Sequence, residues 1–72
     1  MNIQEVKKQL PNGAIKEISE LSGVHYATTQ NFFNGKETKE NLKLIEHTAK
    51  YLKKYKEAKA IALRELQAVA SA

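Results

Sequence analysis

Helix breakers are spaced unevenly along this chain, and that spacing limits its fold more than any other feature. Pro11, Gly13, Gly23 and Gly35 divide the first half into segments of helical size, whereas Lys39 to Ala70 holds neither glycine nor proline. In the first segment Ile3, Val6 and Leu10 recur at helical spacing. Asn2 is placed to cap this helix, with Glu5 three residues on in a capping-box arrangement. Pro11 lacks an amide donor and biases Leu10 away from helical geometry, so the helix stops there and Asn12-Gly13 makes a turn.

The second segment predicts a helix over residues 14–22, with Ile15, Ile18 and Leu21 or Ser22 facing inward. Gly23 follows it where a positive φ is wanted, and only glycine adopts that conformation without strain. Val24, apolar between short polar stretches, is placed to plug the corner before a third helix. That helix runs from about His25 or Tyr26 to Asn34, and Asn34-Gly35 closes it. Thr29, Phe32 and Phe33 face inward, with Phe33 expected to be only half covered.

Over residues 39–70 one phase holds throughout. Leu44, Thr48, Tyr51, Leu52, Tyr55, Ala62, Leu66 and Val69 share one half of the helical wheel, and Lys43, Glu46, Lys50, Lys53, Lys54, Glu57 and Arg64 share the other. Lys56, Lys59 and Ile61 break the pattern. The prediction is one continuous helix of roughly 45 Å, at about 1.5 Å per residue. The fold class is therefore all-α: three short helices containing a helix-turn-helix (residues 14–35), then one long C-terminal helix, all within a single domain over residues 1–72. A domain of this size buries only about 60% of the surface its unfolded chain exposes, which favours association. The long helix outruns its three predecessors, leaving Tyr55, Ala62, Leu66 and Val69 without a partner in the monomer. A second copy of the chain is the simplest cover, so these residues are expected to form a homodimer interface.

Several functional classes lack their residues. There is no cysteine, and the two histidines, His25 and His47, stand on separate elements, so no metal and no cofactor is expected. No glycine-rich phosphate loop, nucleophile elbow or paired-carboxylate arrangement is present, and the chain is not expected to be an enzyme. The start, MNIQEVKKQL, lacks the apolar run of a signal peptide, and no run of about eighteen apolar residues occurs anywhere. The expectation is a soluble, cytoplasmic protein away from membranes. With no room for a separate sensing domain, no small-molecule ligand is expected.

The net charge of +4 is a mild lean toward polyanions. Residues 1–37 balance four lysines against four glutamates, and residues 38–72 carry eight basic groups against four acidic ones. The informative segment is AIKEISELSGVHYATTQNFFNGK, residues 14–36. A short amphipathic helix, a turn through Gly23, the corner residue Val24 and a second helix are what a helix-turn-helix requires. Ser19 is small enough to let the helices approach, and Ile18, Val24 and Phe32 would meet at the crossing. The outward face of the third helix carries Ala27, Gln30, Asn31 and Asn34, flanked by Tyr26 and Thr28. That face is uncharged and rich in amides, which pair bidentately with adenine, while a methyl or tyrosine ring packs on a thymine methyl.

With Ser19, Ser22-Gly23-Val24, His25, Thr29, Phe32 and Asn34-Gly35-Lys36 in this order, the chain resembles the lambda-repressor-like helix-turn-helix superfamily, which includes phage repressors and the lac-repressor-type headpiece. The likeness covers about residues 14–36. His25 stands where Ser or Thr is usual, and Thr29 where an aliphatic residue is usual. The resemblance implies that the third helix lies in the major groove of double-stranded DNA. It implies base contacts for Tyr26, Ala27 and Asn31, to which the helical wheel adds Gln30, and phosphate contacts for Asn34 and Lys36. Thr28, beside the reading face, and Lys39, near the start of the long helix, are further phosphate candidates, as are free amides at helix N-termini. The resulting expectation is a sequence-specific transcriptional regulator whose dimer meets half-sites about one DNA turn apart, roughly 34 Å. The alternative is a helical protein–protein interaction module whose helix-turn-helix is purely structural.

Overall fold

The computed structural model describes residues 2–72 and is all-helical: α1 (Ile3–Gln9), α2 (Ala14–Ser22), α3 (Tyr26–Phe33) and α4 (Asn41–Ala70). Asn2 caps α1 as expected, its Oδ1 accepting from the Gln4 amide at 2.9 Å. No return bond from the Glu5 side chain completes a capping box among the described residues. Gly23 ends α2 at φ 72° and donates its amide to the Ser19 carbonyl at 3.0 Å, satisfying one of the carbonyls orphaned at the helix end. At the end of α3 the Gly35 amide bonds the Phe32 carbonyl and the Lys36 amide bonds the Asn31 carbonyl. This pair of bonds is a Schellman motif, with Gly35 as its left-handed residue at φ 87°.

Helix α3 packs against α1, α2 and α4, and α2 also packs against α4. The core they enclose consists of Ile18, Val24, Phe32, Phe33 and Leu44, with Ile3, Leu10, Ile15 and Tyr51 packed around it. Adjacent aromatics are both buried because α3 is covered from more than one side. Phe32 faces Ile3, Val6 and Ile45, while Phe33 borders Gln4, Lys7 and Lys8 of α1. Phe33 is therefore 0% exposed, not half covered, and the two rings meet edge-to-face with centroids 4.9 Å apart. At the other ambiguous position Ser22 takes the interior (4% exposed) and Leu21 is left out (65%). The turn decides this, because the Ser22 hydroxyl is needed there.

Helix α4 begins at Asn41, two residues later than expected. The Asn41 Oδ1 accepts from both the amide (3.0 Å) and the hydroxyl (2.6 Å) of Thr38, which holds residues 38–40 in a turn. Only the first half of α4 belongs to the core, through Leu44 and Thr48 with Tyr51 and Leu52 half-buried. From Lys56 onward every residue is exposed, and the molecule measures 51 × 22 × 17 Å. It is a compact head on a projecting helix. No helix among the described residues is long and apolar enough to cross a membrane.

Candidate nucleic-acid interface

Two serines and a histidine fix the turn between α2 and α3. Ser19 Oγ donates to the Val24 carbonyl at 2.6 Å, and Ser22 Oγ donates to the Ser19 carbonyl while accepting from the Val24 amide, both at 3.2 Å. All three residues are buried, so these bonds satisfy polar groups that water cannot reach. Val24 is thereby seated in the core, and α3 leaves the turn in a defined direction. His25 opens α3: its Nδ1 accepts from the Ala27 amide at 3.2 Å, the task that Ser or Thr performs in most helix caps. Thr29 is fully buried and donates its hydroxyl to the His25 carbonyl at 3.1 Å, so it occupies an aliphatic site without stranding a polar atom.

With Thr29, Phe32 and Phe33 inward, α3 turns Tyr26, Ala27, Gln30 and Asn31 to solvent, all four exposed along one side. Thr28 lies half-buried at the margin. Asn34 and Lys36 are exposed at the C-terminal end of the same helix. Lys39 is exposed but sits in the turn before α4, not on the helix itself.

Lysines missed in the sequence surround this face. Lys7 Nζ of α1 donates to Asn34 Oδ1 at 3.2 Å, and Lys7 and Lys8 border a shallow cleft with Phe33 and Asn34. A second cleft, beside Tyr26, is lined by Lys7, Lys16 and the turn from Leu10 to Ile15. The first turn of α2 opens into that cleft with Gly13 at its cap and no side chain bonded to its amides. Lys7 and Asn34 are 27 residues apart, and linear charge counting had no means of joining them. Glu17, one of the acids in the same stretch, is held elsewhere: it accepts from the Tyr51 hydroxyl of α4 at 2.6 Å. That bond to a carboxylate, with burial and the nearby charge of Glu17 adding to it, pushes the Tyr51 pKa up to about 12.

Ala62, Leu66 and Val69 are not brought into the head, whereas Tyr55, expected to lack a partner in the monomer, meets its edge. Tyr55 is half-buried against Leu21, His47 and Tyr51, while Leu66 and Val69 stand 63% and 75% exposed on the projecting half of α4. Among the described residues no group of three or more His, Asp or Glu side chains is arranged to hold a metal ion. No protein-family model, curated protein or solved structure matches this chain.

Proposed function

We propose that this protein is a sequence-specific, double-stranded DNA-binding transcriptional regulator of the lambda-repressor-like kind, acting in the cytoplasm as a homodimer. The observation that carries this reading is the outward side of α3. Its uncharged amide, aromatic and methyl groups (Tyr26, Ala27, Gln30, Asn31) are exposed along one side, and lysines border both of its ends. Groups that hydrogen-bond base edges lie at the centre, and groups that attract phosphate lie at the rim. Lys7, Lys16, Lys36 and the uncapped amides of α2 supply the phosphate contacts, together with Thr28, Asn34 and Lys39. Dimerisation uses the apolar side of α4, from the half-buried Tyr55 to the exposed Val69.

The test is a salt titration of binding to random duplex DNA beside a selection for preferred sites. Steep weakening with salt, together with a two-fold symmetric selected site, is the expected result. Absence of binding at low salt removes the DNA role. The exposed apolar half of α4 favours a second reading, an interaction module that holds another protein. It predicts that outcome, with the head serving only to anchor the helix.

A further inference from the structure

A heptad pattern runs along α4: at its head end Thr48 is buried in the core and Leu52 and Tyr55 are half-buried, and from Lys59 to Val69 it is exposed. Ile45, Leu52, Lys59 and Leu66 recur every seven residues, as do Thr48, Tyr55, Ala62 and Val69, three places behind them. This is the a/d spacing of a two-stranded coiled coil, with one lysine at an a position. Lys59 is exposed, as are Ala62, Leu66 and Val69 around it. In a parallel pair Lys59 would face Lys59 of the other copy, two ammonium groups drawn together inside an apolar seam.

We infer that two copies associate through α4 in antiparallel order, with Lys59 of each paired to Glu65 of the other; this rests on the homodimer reading above. In that order Leu52 faces Val69 of the second copy, Tyr55 faces Leu66 and Lys59 faces Ala62. The small alanine leaves room for the lysine stem, and Glu65 stands one turn further along the same helix, within reach of the ammonium. Lys59, which breaks the apolar pattern within one chain, thus acquires a partner of opposite charge, available only in this orientation. The overlap from residue 52 to 69 spans about 27 Å. Its outer end delivers Val69 of the second copy to the mouth of an apolar groove of about 190 Å³, lined by Ile3, Val6, Ile45, Ala49 and Leu52 among others.

Because the chain has no cysteine, introduced thiols report this geometry directly. Leu52→Cys and Val69→Cys chains, mixed and oxidised, are expected to yield a disulfide-linked pair, while neither variant alone does so. Lys59→Glu is expected to weaken the dimer about tenfold by setting two acids together, and the double change Lys59→Glu with Glu65→Lys to restore it. If each cysteine variant cross-links to itself, the dimer stands and its antiparallel order is overturned. A dimer that cross-links in none of the mixtures overturns the register. A wild-type chain that sediments as a monomer at every concentration removes the homodimer reading, and this inference with it.

Discussion

Single residues in the head divide into those that hold α3 and those that face outward from it. Asn31 belongs to the second group: it is exposed and its side chain makes no hydrogen bond among the described residues, so Asn31→Ala is expected to leave the fold unchanged. Under the proposed function it costs about 1–3 kcal/mol on the selected DNA site and little on random DNA. Lys7→Ala, by contrast, weakens both equally and lowers the salt slope by about one. Equal losses for Asn31→Ala on both DNAs would sink the base-reading role. Thr48 is a separate case. It is buried in α4, and its Oγ1 is the one buried side-chain polar atom without a partner among the described residues. Thr48→Val keeps the shape and removes the stranded hydroxyl, so it is expected to stabilise the fold by about 1 kcal/mol. At this chain length that raises the thermal midpoint by roughly 4–8 °C, which a melting curve checks.

At the scale of elements, α3 is positioned by its two ends more than by its own propensity. Its eight residues include two threonines, two phenylalanines, a tyrosine and an asparagine, none of them strong helix formers. What stabilises the helix is the His25 cap, the Schellman closure at Gly35 and the burial of Phe32 and Phe33. The Gly23 turn sets its direction. A Cβ added at Gly23 meets nothing within 4 Å, so the cost of Gly23→Ala comes from the backbone alone. Holding alanine at φ 72° costs about 1–2 kcal/mol, measurable by denaturant unfolding. An unchanged midpoint would mean that the turn is not confined to the left-handed conformation.

For the whole molecule, the Tyr51–Glu17 bond joins the projecting helix to α2 and gives the fold a pH dependence at its alkaline end. The folded-state pKa of about 12 lies above the usual tyrosine value of 10.0, so the folded chain favours the protonated phenol. The resulting stability is fully present below pH 10 and is lost as pH rises toward 12. Tyr51→Phe should flatten that decline, and the wild-type phenolate absorbance should show one late titration that the variant lacks. The antiparallel pairing proposed for α4 also has a consequence for DNA under the proposed function. It sets the Leu44 positions of two copies about 50 Å apart along the helix axis. The selected half-sites are then separated by more than the one turn of about 34 Å expected from the sequence. Half-sites one turn apart would instead fit a parallel pair with adjoining heads.

The sequence by itself determined the four helices, because Pro11, Gly13, Gly23 and Gly35 interrupt helical geometry locally and nothing interrupts it after Lys39. It also determined which side of α3 is buried, since Thr29, Phe32 and Phe33 fall on one arc of a 3.6-residue period whatever they pack against. Only the tertiary structure decided the choices that depend on residues distant along the chain. Phe33 is wholly buried because α1 folds over it, Ser22 displaces Leu21 because the turn requires its hydroxyl, and α4 starts late because Asn41 bonds back to Thr38. The lysines around α3 form a border only because α1 and α2 pack beside it, joining charges that appear balanced when counted along the chain. Helical periodicity and turn chemistry are local; charge arrangement at a surface is a property of the folded chain.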